Sequence, residues 1–224
     1  MPILKEIVYG GSNIGVCLAL NNDYFLYPPK INPKIVDFIT KNRPEITQIE
    51  TFIAGSAVIG SFIAMNSYGM LVPEIITDDE LNNLQKNTKK DFKITKLDLE
   101  HNAFGNLVLC NDKGAVISPK IEDAKDIIQN ALNVPVKVLR FAESDLSGSC
   151  GITNNFGVLL HPMVTEDEAE IIEKVLKVDV DVSTINCGNP YLGGGLIVND
   201  YEAIFGREST GPELQRIMEI LHLE

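Results

Sequence analysis

The sequence predicts an α/β (α+β) fold in which residues 1–224 form one domain, a propeller-like closed ring of five repeats of about 45 residues with pseudo-fivefold symmetry. Two periodicities predict the units. Gly15, Gly60, Gly105, Gly148 and Gly193 lie 45, 45, 43 and 45 residues apart, and an asparagine follows each of them six positions later, at Asn21, Asn66, Asn111, Asn154 and Asn199. A mismatch at the ends predicts the closure. The fifth unit stops at a helix near Leu221 with no third strand, whereas residues 1–8 form an apolar stretch that precedes the first unit and belongs to none. The N-terminal strand is therefore expected to complete the last unit, which leaves no free sheet edge and brings the termini together. A linear solenoid would instead need polar capping units at its ends.

Within a unit the elements follow from local chemistry. Three of the asparagines have a glycine three residues on, at Gly69, Gly114 and Gly157. Asn-x-x-Gly suits a type I turn, the asparagine side chain capping it and the glycine accepting the backbone angle of the reversal. Tyr24 and Glu202 replace that glycine in the first and last units, where a differently built turn is expected. Apolar runs flank each turn, residues 16–20 before and 25–27 after in the first unit and 107–110 and 115–117 in the third, so every unit is expected to open with a β-hairpin. Pro28, Pro73, Pro119 and Pro162 end the second strand. Thr77 with Glu80, Thr165 with Glu168 and Thr210 with Glu213 then fit the capping box that starts a helix, and Pro212 suits the first turn of the last one. Helical spacing continues through Ile171, Ile172, Val175 and Leu176 and through Leu214, Ile217, Met218 and Leu221. Alternating strands follow at 46–50, 92–98, 134–138 and 178–182. The predicted unit is strand, turn, strand, helix, strand.

Composition sets limits on function. The chain has 45% hydrophobic and 22% charged residues, no stretch apolar enough to cross a membrane, and no signal peptide, since Lys5 and Glu6 interrupt the N-terminal run. Of four cysteines none forms a C-x-x-C pair; Cys17, Cys110 and Cys150 are expected inside hairpin strands, which points to a reduced cytoplasmic protein without disulfide, metal or other cofactor. A net charge of −12 argues against nucleic-acid affinity built on phosphate neutralisation. The basic cluster Lys86, Lys89, Lys90, Lys93 and Lys96 reads as a solvated face, with a local phosphate contact as the alternative.

Three strings carry a family resemblance: NAFGNLVLCNDKGAVISP at 102–119, NSYGMLVPEIITDDEL at 66–81 and STGPEL at 209–214. Together they resemble translation initiation factor 6 over essentially the whole chain, in the archaeal form because no tail follows Glu224. The resemblance implies the pentein fold, five αβ units about a pseudo-fivefold axis, in agreement with the repeats. It also implies a non-enzymatic anti-association factor. Such a protein binds the large ribosomal subunit on its intersubunit face, chiefly through a ribosomal protein next to the sarcin-ricin loop, and prevents joining of the small subunit. Release by a GTPase with a maturation factor is implied as well, and the closed ring favours a monomer.

Carried over residue by residue, the resemblance places ribosome-binding positions at the turns entering each first strand: Asn106 after Gly105, Ser61 after Gly60, Ser149 after Gly148 and Gly194 after Gly193, with Asn102 nearby. At Ser61 and Ser149 the eukaryotic relatives carry larger side chains. A glycine recurring in every unit is explained equally by a backbone conformation only glycine tolerates or by close packing around the axis. Asn106 is different, because its equivalents are Val16, Ser61, Ser149 and Gly194 and the repeat does not require asparagine there. A second class remains, since pentein folds also host enzymes that modify guanidino groups, and Cys187 with His161 are the residues to cast as nucleophile and base. No carboxylate follows His161 at the His-x-Asp/Glu spacing of those enzymes. A WD40 propeller is excluded by the helix caps and the absence of tryptophan, and the run Gly193-Gly194-Gly195 lacks the Gly-Lys-Ser/Thr ending of a P-loop.

Overall fold

The computed structural model describes residues 3–223. Strand β1 (Ile3–Glu6) comes first, and the first unit then runs through a short helical turn at Ile14–Val16, β2 (Ala19–Leu20), β3 (Tyr24–Tyr27), α1 (Pro33–Asn42) and β4 (Thr47–Glu50). The second unit comprises α2 (Ile59–Phe62), β5 (Ala64–Met65), β6 (Gly69–Pro73), α3 (Asp78–Asn87) and β7 (Lys93–Leu97). In the third, α4 (Phe104–Leu107), β8 (Val108–Cys110) and β9 (Ala115–Ile117) lead through a 3-10 stretch into α5 (Lys125–Leu132) and β10 (Val136–Val138). The fourth holds β11 (Gly151–Thr153), β12 (Gly157–Leu160), α6 (Glu166–Leu176) and β13 (Asp179–Val182). The fifth ends the chain with α7 (Leu192–Gly195), β14 (Leu196–Val198), β15 (Ala203–Gly206) and α8 (Gly211–Ile220).

Each unit makes one three-stranded sheet: an antiparallel hairpin whose second strand takes the third strand in parallel after the helical crossover. The fifth sheet has no third strand of its own, and β1 fills the place by pairing in parallel with β15, Ile3 opposite Ala203 through Glu6 opposite Gly206. The ring is thus closed by the N-terminal strand; Met1 and Pro2, also assigned to it above, lie outside the described residues. The core is shared between neighbours. One apolar cluster joins Leu71 and Leu97 of the second unit to Phe104, Ile117, Ile128 and Leu132 of the third, and the other clusters likewise draw on two adjacent units. No unit buries its apolar face alone, so the ring folds as a whole.

All three predicted capping boxes are present, at Thr77 with Glu80, Thr165 with Glu168 and Thr210 with Glu213. The asparagine turns are built alike in all five units, contrary to the expectation for the first and last. Each Oδ1 accepts the backbone N–H groups two and three residues on, at Asn21 from Asp23 and Tyr24 and at Asn199 from Tyr201 and Glu202 just as at Asn111 from Lys113 and Gly114. The glycine is therefore not a turn requirement, and none of Gly69, Gly114 and Gly157 has a positive φ. A Cβ there would overlap a carbonyl oxygen of the next unit's helix, Ala131, Val175 or Ile220, so the glycine admits a neighbouring backbone. The first strands are also shorter than expected. Val16 and Leu107 belong to helical turns, and of the three cysteines placed in strands only Cys110 lies in one; Cys17 and Cys150 sit in the turns just before.

Candidate ribosome-facing surface

The chain direction gives the ring two unlike ends. First strands run from the recurrent glycines to the recurrent asparagines, second and third strands return, and the helices start at the glycine end and finish at the asparagine end.

At the asparagine end the five side chains form a continuous circuit. Nδ2 of Asn21 donates to the Asn66 carbonyl at 2.8 Å, Asn66 to Asn111 at 3.1 Å, Asn111 to Asn154 at 3.1 Å, Asn154 to Asn199 at 3.2 Å and Asn199 back to Asn21 at 3.2 Å. Three of them also donate to the last carbonyls of the next unit's helix, at Leu132, Leu176 and Leu221, satisfying groups that a helix end leaves unpaired. The circuit therefore specifies the order and angle of the units. Three of the five lysines in the basic cluster make contacts within the protein: Lys89 pairs with Asp23 at 2.8 Å, Lys93 donates to the Asn130 carbonyl at 2.9 Å and Lys96 pairs with Glu74 at 2.9 Å.

The glycine end carries the predicted site residues. Gly15, Gly60, Gly105, Gly148 and Gly193 line an axial cavity of about 120 Å³. None of the five has a positive φ. A Cβ on each would overlap a backbone carbonyl of the preceding unit, Gly105 against Gly60 and Gly60 against Gly15, which decides the recurrence in favour of close packing. The residues after them, Val16, Ser61, Asn106, Ser149 and Gly194, are half-buried and follow the stacked glycines around the axis, so the structure brings Ser61, Asn106, Ser149 and Gly194 to the same end of the ring. Asn106 uses its backbone to hold the next unit, accepting the Gly148 N–H at 3.0 Å. Its side chain lines an open depression of about 200 Å³ together with Asn102, His101, Lys120 and Leu146.

The glycine end is held rigid by a device that the capping boxes conceal. Glu80 caps α3 and also accepts the N–H groups of Ala54 and Gly55 at 2.9 and 2.8 Å, in the turn that enters its own unit. Glu168 does the same for Ala142, and Glu213 for Cys187 and Gly188. Ala54 and Ala142 hold left-handed backbone (φ 53° and 51°), so these turns need such a clip. Burial pushes the Glu213 carboxyl up, but hydrogen bonds from Thr210, Gly188 and Thr184 outweigh it and hold the group at about 2. A carboxylate depressed below its unfolded value stabilises the fold above pH of about 4.5 and loses that effect as pH falls toward about 2. Glu213→Gln is expected to lower the urea midpoint at neutral pH, by about 2–4 kcal/mol of stability, and to flatten the acid limb over that window. An unchanged acid limb would show that the clip is not charge-assisted.

Two further features of this end escaped the sequence reading. Three of its five helix starts are acidic, with exposed Asp78, Asp79, Glu122, Asp123, Glu166 and Asp167 complementing the helix dipoles. Tyr9, Phe52, Ile75, Leu146, Met163 and Tyr191 are exposed in the surrounding loops. The available signal was that these apolar residues lie outside every strand and helix pattern.

Among the described residues no hydrogen bond joins Cys187 to His161. Cys187 lies in the turn clipped by Glu213, while His161 is buried, its Nδ1 accepting the Met163 N–H at 3.1 Å and its ring packed on Tyr191. Burial lowers the His161 pKa, which favours the neutral ring. Among the described residues no group of three or more His, Cys, Asp or Glu side chains is placed to hold a metal ion, and no helix is long and apolar enough to cross a membrane.

Comparison with known proteins gives the same direction. Residues 3–220 match the model of the eIF-6 family. Translation initiation factor 6 of Methanocaldococcus jannaschii is 35% identical over 99% of this chain and 98% of its own length. That of Methanosarcina mazei is 37% identical over 96% of this chain and 95% of its own. Among solved structures, a dimethylarginine dimethylaminohydrolase superposes with a TM-score of 0.52 at 12% identity, covering 80% of this chain and 70% of the hydrolase; the likeness is one of fold, the pentein ring. The similar sequences carry the name of a translation initiation factor and not of a guanidino-modifying enzyme, and the reading of Cys187 as a nucleophile is set aside. With the family model matched along nearly its whole length, the chain belongs to the eIF-6 family.

Proposed function

We propose that this protein is a translation initiation factor 6 that binds the large ribosomal subunit at the intersubunit face through its glycine end and sterically prevents association with the small subunit. The carrying observation is the match to the eIF-6 family over residues 3–220. The chemistry of the glycine end supports it. An acidic rim with exposed apolar side chains suits a basic ribosomal protein, the partner beside the sarcin-ricin loop, and complementary charge speeds and orients docking. A specific interface buries about 1,600 Å², which one end of a rigid ring supplies without conformational change or chemistry. In this reading Asn106, Asn102, Ser61, Ser149 and Gly194 are contact residues, and Gly60, Gly105 and Gly193 shape the surface by letting the units pack closely. The protein acts as a cytoplasmic monomer of a single domain, any contact with ribosomal RNA is local, and a GTPase with a maturation factor releases it during large-subunit maturation.

The test is sucrose-gradient sedimentation of purified subunits at magnesium concentrations that drive joining. Co-migration with the large subunit and loss of the joined peak are expected; a protein that stays at the top of the gradient while joining proceeds refutes the proposal. In the same assay Asn106→Ser is expected to weaken binding about tenfold, the scale of one polar interface contact, while the melting temperature moves by no more than about 2 °C. A large fall in melting temperature would assign Asn106 a structural role instead.

A further inference from the structure

The hairpin of each unit meets the helix of the next at a seam, and four of the five seams are made by direct contact. Gly69, Gly114 and Gly157 press their backbone against the carbonyls of Ala131, Val175 and Ile220. Between the first and second units, Tyr24 takes that place and its hydroxyl accepts the Lys89 N–H at 2.9 Å. The seam that closes the ring, between the fifth unit and the first, is different. Glu202 occupies the equivalent position and is 0% exposed, and neither of its carboxylate oxygens has a hydrogen-bond partner among the described residues. Across the seam stands Arg43, at the C-terminal end of α1. Its Nη1 is also buried without a partner among those residues, while Nε is spent on Glu45 and the guanidinium face lies 3.8 Å from the Tyr201 ring centre.

A buried carboxylate and a buried guanidinium nitrogen thus face this seam, each without a hydrogen-bond partner among the described residues. Buried polar groups left in this way are those that internal water satisfies, with two to four polar partners for each molecule. We infer that the seam closing the ring encloses water that bridges the Glu202 carboxylate to the Arg43 guanidinium, and that ionisation of Glu202 loosens this joint between the first and last units.

The charges that face Glu202 from α1 and the loop after it are Arg43 and Glu45. In its own hairpin Asn199 accepts the Glu202 N–H, and its amide nitrogen is spent on the Asn21 carbonyl. On the sheet side the described neighbours are apolar, Ala203 pairing with Ile3 and Val198. Burial is the dominant influence and raises the group to about 7, with Arg43 and the nearby Asn199 side chain opposing and Glu45 assisting. A carboxyl raised in the fold contributes stability that is complete below about pH 4.5 and is lost as pH rises through about 7.

The experiment compares the intact protein with Glu202→Gln, a neutral isostere that keeps the water partners, by chemical denaturation between about pH 5 and pH 8. The folding constant of the unaltered protein is expected to fall roughly tenfold or more across this range through Glu202, and Glu202→Gln to remove that fall. A high-resolution crystal structure at about pH 8 is expected to show water within hydrogen-bond distance of both Glu202 and Arg43 Nη1. An equal loss of stability in Glu202→Gln, or a direct Glu202–Arg43 pair with no water between, overturns the inference. So does a pH response that vanishes on acetylating the α-amino group, which would assign the carboxylate to the amino terminus. Subunit joining is scored separately by sedimentation, so failure here leaves the proposed function standing.

Discussion

Gly105→Ala is expected to unfold the ring at ordinary temperatures or to lower its melting temperature by more than about 10 °C. The added methyl would overlap the Gly60 carbonyl, and the obstacle is backbone. It cannot yield locally, because Gly60 is itself packed on Gly15, and Gly15 on Gly193, around the axis. Relief requires the units to separate, which opens the clusters that adjacent units share. Overpacking of this kind costs about 3 kcal/mol or more, and each kcal/mol moves the midpoint of a chain this size by about 2–4 °C. Gly211→Ala is the control, since open space surrounds that position, and it is expected to be neutral or slightly stabilising at the start of α8. Scanning calorimetry decides the matter: if the two variants melt within about 2 °C of one another, close packing is not the reason for the glycine.

Asn111→Ala is expected to cost about 3–5 kcal/mol, a fall of about 10 °C. The side chain is buried and fully used. Its Oδ1 accepts Lys113 and Gly114 N–H at 2.9 and 3.0 Å, and its Nδ2 donates to the Asn154 and Leu176 carbonyls, both at 3.1 Å. Alanine leaves four backbone groups without these partners, each costing about 1–3 kcal/mol where water does not reach. Asn111→Asp separates the two functions. It retains the acceptor that holds the turn but sets a carboxylate against two carbonyl oxygens, so it is expected to be no more stable than alanine at neutral pH and to recover as the pH is lowered toward the carboxyl range. A loss below about 1 kcal/mol in both variants would show that the asparagine circuit contributes little and that apolar packing alone holds the units together.

Local chemistry was legible wherever a residue acts on its own neighbourhood. The capping boxes at Thr77, Thr165 and Thr210 and the turn-holding role of the asparagine Oδ1 depend on groups two or three residues away, so spacing alone reveals them. The same residues have second roles that spacing hides. The Asn111 amide reaches a unit 43 residues on, and Glu213 clips a turn 25 residues before it, partners that become adjacent only once the ring is assembled. The glycine that follows three of the asparagines reads as a turn residue for that reason, whereas its cause is a helix carbonyl of the next unit.

The candidate surface divides in the same way. Gly60, Gly105, Ser61, Asn106 and Ser149 were candidates because they recur or resemble a family pattern, and the glycines among them pack on one another around the axis. Tyr9, Phe52, Ile75, Leu146, Met163 and Tyr191 were not, since an apolar residue in a loop is more often covered than exposed, and exposure is a property of the assembled ring. By itself, the sequence determined five units, the order of their strands and long helices and the strand that closes them, because hydrogen-bond and apolar periodicity act within about 45 residues. Only the tertiary structure decided which backbones press together, which buried carboxylate at the closing seam goes unpaired and which end of the ring is acidic and sticky. Those depend on distances between units that no local pattern encodes.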